Sequence, residues 1–434
     1  MLTQDQLLVK TLGPCRIPSP LQGSKRVVFV NQNNRVRYHD KIGSDVPVDE
    51  ADLSFEEAGP QPMIFFEPAR TTAAIVTCGG LSPGLNNVIR AVYSELKHNY
   101  GVSRILGIRD GYQGLNPAVG QAPIELTREF VEDIDKLGGT VLGTSRGPQQ
   151  PPVVVDFLED QGIDILFCIG GDGTQRGAHA IAEEISRRGL RISVIGIPKT
   201  IDNDIPFVWI TFGYQTSLQE AEKVLRGAHV EAKGAPNGIA VVKLMGRHAG
   251  FIAAGASIAS DEANFVLVPE VPFPLDGDEG LLEMLGHRMQ RRGHALIVVA
   301  EGAGQHLAAD PEANVQRDAS GNVRFEDIGV FLCHRIKTYF TGIGVSVSVK
   351  YIDPSYVIRS VPANTWDRIL ANQMGRFAAH AGMAGRTDTL IGLLHNELIH
   401  VPLTTVTSHK RQLDLQSDLW MAVLSSTGQP RWCG

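Results

Sequence analysis

The stretch IGGDGTQRGA, Ile169 to Ala178, sets the reading of the chain. It follows the apolar run Ile163 to Ile169, so two glycines, an aspartate, a third glycine and a threonine stand where a buried strand ends. Gly170, Gly171 and Gly173 let backbone N–H groups approach an anion with no Cβ in the way. Thr174 then opens a helix with Ala178, Ile181, Ala182 and Ile185 on one side, stopped by Gly189. Taken alone, GGDGT also fits a tight strand-to-helix turn with an exposed aspartate, and it suits other nucleotide-dependent kinases. Its echo lies one strand further on, where Arg191 to Ile197 leads into PKTIDND, residues 198–204. Asp172 suits a Mg²⁺ ion that bridges phosphate oxygens. Asp202 and Asp204, two apart, share a side if extended, and a carboxylate beside a phosphate site can take the proton of an attacking hydroxyl.

The same grammar extends in both directions. AAIVT, Ala73 to Thr77, ends in Gly79-Gly80; Ser82-Pro83-Gly84 then introduces Leu85, Val88, Ile89, Val92 and Leu96 at helical spacing. Arg104 to Ile108 reads as a strand and Glu129 to Leu137 as a helix, before the glycine-rich turn LGGTVLGTSRG with Thr144, Ser145 and Arg146. Downstream, helix is expected at Tyr214 to Arg226, Phe251 to Ile258, Gly280 to Arg291, Ile328 to Tyr339 and Thr365 to Ala381. Strands are expected at Gly238 to Leu244, ending in Met245-Gly246-Arg247, at Asn264 to Val268, and at His294 to Ala300, ending in Glu301-Gly302. Gln305 to Glu326 reads as a polar surface loop, and the alternation Val345, Val347, Val349 as a strand leading to Lys350 and YIDPSYVIR. Single helices between strands imply parallel pairing, right-handed crossovers, and ligands beyond the carboxyl ends of the strands.

The expected fold is therefore α/β, two Rossmann-like lobes with mainly parallel sheets flanked by helices, plus an N-terminal extension. The extension is residues 1–70, ordered by packing on the main body or a partner subunit, with a hairpin of Arg26 to Val30 and Arg35 to His39. Residues 71–212 form a nucleotide-binding lobe completed by about 360–390. Residues 213–359 form a second lobe completed by about 391–434, a sugar-phosphate-binding one on the family resemblance given below.

At 434 residues, 43% hydrophobic and 20% charged, the chain has ample material for two cores. A net charge of −7 argues against general nucleic-acid binding. Against that background Arg146, Arg247, Lys350 and Arg359, all at expected strand ends, point to a substrate with several phosphates. The five cysteines form no metal-type spacing, and Cys168 reads as a small buried thiol. No signal-peptide region or membrane-length apolar run is seen, so the expected place is the cytoplasm. A dinucleotide-binding oxidoreductase fits poorly, because Gly79-Gly80 does not continue as GxGxxG. A catalytically silent sensor would lack the metal acid or the base, and Asp172 and Asp202 are both present.

From about Ala73 to about Gly392 the chain resembles the phosphofructokinases, through TCGGLSPGLNNVIR, LGTSRG, IGGDGTQRGA, PKTIDND, VKLMGRHAG, VAEGAG, YIDPSYVIR and WDRILANQMG. The resemblance implies phosphoryl transfer to the 1-hydroxyl of fructose 6-phosphate, with Mg²⁺ and a homodimeric or homotetrameric enzyme. It makes Gly79, Gly80, Gly171, Gly173 and Thr174 donor contacts, Arg146 a bridge to donor phosphates, and Asp172 the metal ligand. Asp202 becomes the base, with Thr200 and Asp204 beside it. Met245, Gly246 and Arg247 meet the sugar and the migrating group, Glu301 accepts from sugar hydroxyls, and Lys350, Tyr356 and Arg359 hold the sugar phosphate. Lys199, Lys350, Tyr356 and Gly238 depart from the simple bacterial pattern and resemble the branch of pyrophosphate-dependent enzymes and plant and trypanosome ATP users. Pyrophosphate users usually carry aspartate where this chain has Gly173. Its bulk and charge would crowd an α-phosphate, so Gly173 favours ATP. Lys199, able to neutralise a pyrophosphate leaving group, keeps pyrophosphate as the alternative.

Overall fold

The computed structural model describes residues 2–24, 27–40, 52–308 and 323–432. Near the start, Arg35–Arg37 (β1) pairs antiparallel with Ser54–Glu57 (β2), Val36 opposite Phe55. The expected partner of this strand was Arg26 to Val30. Arg26 lies outside the described residues, and residues 27–30 form no strand. β2 is the better partner because its Phe55 is fully buried and its own other edge joins the main sheet.

The alternation then begins. Thr72–Thr77 (β3) leads through Gly79-Gly80 to helix α1, Leu85–Ser94. Leu85, Val88, Ile89, Val92 and Leu96, the residues at helical spacing, are all buried. Arg104–Ile108 (β4) and the short antiparallel Ile124–Glu125 (β5) follow. Instead of a helix from 129 to 137 there is one turn, Arg128–Val131, and a 3-10 turn, Ile134–Lys136. Only Val131 and Ile134 are buried in these two turns, too little apolar surface to hold a longer helix. An unforeseen helix, Pro151–Asp160 (α2), starts on two prolines. They occupy first-turn positions where the missing N–H costs nothing, and Val154, Val155, Phe157 and Leu158 bury its inner side. Ile165–Gly170 (β6), Asp172–Arg187 (α3) and Ser193–Pro198 (β7) come next, with every residue of β6 and β7 buried. That is the mark of strands covered on both faces.

A second unit starts with Tyr214–Gly234 (α4), Gly238–Leu244 (β8), Phe251–Ser260 (α5) and Phe265–Leu267 (β9). It continues with Leu281–Arg292 (α6), His294–Ala300 (β10), Ile328–Gly342 (α7) and Ser348–Ile352 (β11). Its sheet runs β9-β10-β8-β11, all parallel. Of the expected loop from Gln305 to Glu326, Gln305–Ala308 is a helical turn and residues 309–322 lie outside the described residues. A short helix, Val357–Ser360 (α8), ends this passage.

The chain then returns to the first sheet with Thr365–Met383 (α9), Thr389–Leu394 (β12) and Glu397–Pro402 (β13). The β12–β13 hairpin turns on His395 and Asn396, at φ +49° and +69°, the left-handed pair a two-residue hairpin needs. Among the described residues the completed sheet has nine strands, β1-β2-β13-β12-β7-β6-β3-β4-β5, of which the five from β12 to β4 are parallel.

Chain contacts divide the molecule at Thr200 and Ile201. The first unit holds the residues up to Thr200, Ile205–Gly213 and Ser360–Lys410; the second holds Ile201–Asp204, Tyr214–Arg359 and the residues from Arg411 on. Residues 391–410 thus fall with the first unit, whereas the sequence assigns 391–434 to the second lobe. The reason is β12, which pairs with β7 and brings β13 with it. The N-terminal residues belong to the first unit as well. Lys10–Thr11 pairs with Arg386–Thr387, and Lys10 bonds Asp388, which also holds His179 of α3.

Candidate active site

In the first unit the turns after β3, β6 and β7 lie side by side, because those strands are neighbours and their last residues are in register: Thr77 opposite Ile169, and Gly170 opposite Pro198. Gly79 is at φ +81°, a conformation that suits glycine. Its N–H donates to Ser145 O at 3.1 Å, and Thr144 Oγ1 donates back to Gly79 O at 2.7 Å. The first glycine turn is therefore laced to the second, the one that carries Arg146. Arg146 itself is exposed.

Lys199 is 4% exposed, and its Nζ donates to Gly80 O. A Cβ on Gly79 would stand 3.5 Å from that ammonium and 3.9 Å from Thr174 Oγ1. Gly79, Gly80, Thr174 and Lys199 thus converge. Gly171 is the N-cap of α3, and a Cβ there would meet Lys199 O at 3.3 Å. Asp172, the first residue of α3, pairs with Arg176 one turn on at 2.6 Å and stays 39% exposed. The start of this helix carries the positive end of its dipole, the ready-made place for an anion, although the Thr174 N–H is turned to Gly171 O at 2.9 Å. Thr174 is buried, its own carbonyl held by Tyr112 OH at 2.7 Å. Gly173 is different. It is exposed, it has no positive φ, and a Cβ there would meet nothing within 4 Å.

In the second unit β8 and β10 are adjacent parallel strands, so their ends also meet. Glu301 N–H donates to Leu244 O at 2.9 Å and Gly302 N–H to Gly246 O at 3.1 Å. Gly246 sits at φ +130°, with its missing Cβ only 2.6 Å from Ala249 O. The turn Met245-Gly246-Arg247 is in this way locked to Glu301-Gly302. The Arg247 guanidinium lies 4.6 Å from the Phe325 ring centroid and donates to Val323 O. Burial pushes the Glu301 carboxyl above the usual carboxylate range, while the charges of Arg247, Lys243 and Arg359 pull it back. Arg359 stacks over Tyr356 at 4.9 Å and approaches Met245 Sδ at 3.9 Å, so one end of α8 reaches the β8 turn. Asp202 and Asp204 are half-buried, with Asn203 between them at φ +55°, its carbonyl accepting from Arg411 at 3.1 Å. Thr200 belongs to the first unit, where its carbonyl accepts from Thr211 Oγ1 at 2.7 Å.

Lys350 is placed otherwise than expected. β11 runs on to Ile352, so Lys350 lies within the strand rather than at its end, and its ammonium pairs with Glu231 of α4 at 2.6 Å. Successive side chains of a strand face opposite sides, and the next residue, Tyr351, bonds instead to Asp327 at the start of α7. Sequence reasoning passed over the group gathered at Lys243: Asp327, Tyr351 and Asp353. The available signal was a lysine inside the otherwise apolar run Gly238 to Leu244.

Comparison with known proteins shows the family and the fold. The family model described as Phosphofructokinase matches residues 72–382. An ATP-dependent 6-phosphofructokinase of Amycolatopsis methanolica is 46% identical, over 98% of this chain and 95% of that protein. One of Borreliella burgdorferi is 43% identical, over 97% and 96%. Among solved structures, a pyrophosphate-dependent phosphofructokinase of Marinobacter aquaeolei superposes with a TM-score of 0.67 at 20% identity, over 84% of this chain and 92% of that one. At that identity the likeness speaks for the fold alone.

Proposed function

The chain belongs to the phosphofructokinase family, and from that premise we propose that it transfers the terminal phosphoryl group of ATP to the 1-hydroxyl of fructose 6-phosphate, giving fructose 1,6-bisphosphate and ADP in glycolysis. It is an enzyme of the ATP-dependent 6-phosphofructokinase kind, like the relatives it matches.

Each residue has a part in this reading. Main-chain N–H groups around Gly79, Gly80 and Gly171 take the donor phosphates, with Arg146 bridging them and Thr174 lining the nucleotide. The hydroxyl oxygen at C1 attacks the γ-phosphorus; that O–P bond forms as the bond from the γ-phosphorus to the β–γ bridging oxygen breaks. The hydroxyl proton passes to Asp202, with Thr200 and Asp204 beside it. Arg247 meets charge on the migrating group, Met245 and Gly246 shape the sugar's place, and Glu301 accepts from sugar hydroxyls. Tyr356 and Arg359 hold the sugar phosphate, and Lys350 joins them on exchanging Glu231.

Asp172 fits Mg²⁺. It is one partly exposed carboxylate at a helix start, with no cluster of three or more His, Cys, Asp or Glu among the described residues. That donor set suits a hard ion that takes most of its oxygens from phosphate and water. Bound there, the ion would neutralise charge on the donor's oxygens, and the Asp172 carboxylate would leave Arg176 for it. The reading also places the enzyme in the cytoplasm as a homodimer or homotetramer. In support, Cys15, Cys78, Cys168 and Cys333 are all free thiols, as a reducing compartment keeps them. No helix among the described residues is long and apolar enough to cross a membrane.

The observation that carries the choice of donor is Gly173. Neither backbone conformation nor packing requires glycine there, and glycine in a helix costs up to about 1 kcal/mol relative to alanine. Clearance for the α-phosphate of ATP explains it. The buried Lys199 on Gly80 O is the feature that favours pyrophosphate instead. Fructose 1,6-bisphosphate formation with ATP and with pyrophosphate, side by side, tests the two. The wild-type enzyme is expected to work with ATP, and Gly173→Asp to lower ATP use by about tenfold or more while lowering pyrophosphate use less. Equal losses, or a wild-type preference for pyrophosphate, overturn the reading.

A further inference from the structure

β8 is an apolar strand with one exception. Six of its seven residues are buried, and the seventh, Lys243, sits just before the turn that carries Met245, Gly246 and Arg247. The Lys243 side chain is only 14% exposed, and its ammonium contacts Asp327 Oδ2 at 2.8 Å and Asp353 Oδ2 at 3.0 Å. A lysine so placed costs desolvation energy unless it is paired, so its presence in β8 asks for a purpose.

Both carboxylates hold backbone as well. Asp327 is the N-cap of α7, accepting from Gly329 N at 3.1 Å and Val330 N at 3.2 Å, and it accepts Tyr351 OH at 2.8 Å. Asp353 accepts from Ser355 N at 3.1 Å and from the Ser355 hydroxyl. Those bonds shape the turn 353–356, which continues directly into α8 through Val357 N to Pro354 O at 2.8 Å. The turn ends at Tyr356, and α8 carries Arg359.

We propose that Lys243 is a positioning residue for the sugar-phosphate acceptor, a single ammonium between two carboxylates that holds the Tyr356–Arg359 turn in register with the end of β8. The inference rests on the functional reading above and extends it to the residues that aim Tyr356, Arg359 and Arg247. Lys243 also faces Glu301 electrostatically, as do Arg247 and Arg359, so it supports the charge on the carboxylate assigned to the sugar hydroxyls. With Lys243 removed, Asp327 and Asp353 would repel each other, and the turn that carries the phosphate-holding residues would be the part free to move. The donor turns of the first unit share none of these bonds.

The test is steady-state kinetics of Lys243→Met and Lys243→Arg with fructose 6-phosphate and ATP varied in turn. Lys243→Met is expected to raise KM for fructose 6-phosphate by about tenfold or more, the scale of a small misplacement of a binding group. KM for ATP should stay within about twofold, and Lys243→Arg should recover most of the loss, because arginine can still bridge two carboxylates. If Lys243→Met does not fold, Asp353→Asn provides the same split, since it weakens the clamp on the side of the turn alone. An unchanged KM for fructose 6-phosphate in the folded variant, or equal rises in both KM values, overturns the proposal. A wild-type enzyme that forms no fructose 1,6-bisphosphate with either donor overturns the functional reading instead, and the two failures are told apart on the wild-type assay.

Discussion

In the first unit the surfaces assigned to the donor are mostly main chain, the turns at Gly79-Gly80, Gly143 to Arg146 and Gly170-Gly171, laced by backbone and hydroxyl hydrogen bonds, with the Arg146, Asp172 and Thr174 side chains added. In the second unit the surfaces assigned to the acceptor are made of side chains: Arg247, Glu301 and Arg359, with Lys243, Asp327, Tyr351 and Asp353 behind them. A polyphosphate offers many equivalent oxygens and is well served by a row of N–H groups that cost no reorganisation. A sugar phosphate offers hydroxyls in a fixed pattern, which only directed side chains can match. The difference teaches where each half is vulnerable. The donor half should fail when a Cβ is added, and the acceptor half when a charge is removed.

Three substitutions probe that contrast. The largest effect belongs to Asp202→Asn, which keeps shape and removes only the charge and basicity; turnover should fall by about 10² to 10⁴ with KM values little changed. Near-normal turnover would take Asp202 out of the reaction. Next is Gly79→Ala. The residue is at φ +81°, where a side chain costs about 1–3 kcal/mol, and the new Cβ would stand 3.5 Å from the Lys199 ammonium, in the space assigned to the donor phosphates. A fall in kcat/KM for ATP with KM for fructose 6-phosphate unmoved sharpens the comparison, and a loss shared by both substrates breaks it.

The smallest effect is one of pH. Burial raises the Glu301 carboxyl above the usual range, so its charge is present above that raised value and lost as pH falls through it. KM for fructose 6-phosphate should therefore climb on the acid side before an ordinary glutamate would protonate, while KM for ATP does not. Glu301→Gln should flatten the profile; a climb that persists in that variant assigns it to another group.

The same contrast explains what could be read in advance. Glycines after apolar runs announce themselves, because strand, glycine turn and helix follow in unbroken order, and GGDGT falls at the end of β6 with Asp172 opening α3. The parallel strands and most helices were legible for the same reason. Side-chain networks are assembled from distant segments and leave no local mark: Lys243 meets residues more than eighty positions away. Lys350 was misplaced because the end of a strand cannot be located from alternation alone, and a shift of two residues moves a cation from the strand end to its middle. The pairing of β1 with β2 is nonlocal too, and Pro151-Pro152 hid α2 behind residues that ordinarily signal a break.

Gly173 has one more consequence, and it concerns inheritance. Every glycine codon begins GG and the aspartate codons begin GA, so where the third base is a pyrimidine a single second-base transition turns one residue into the other. Beyond its chain neighbours and its own helix backbone, nothing stands within 4 Å of a Cβ built at the position, and its φ is not in the left-handed region, so the fold has room for the start of a side chain there. On the proposed reading one such change closes the clearance at the α-phosphate, while Lys199, the other residue that bears on the donor, stays as it is.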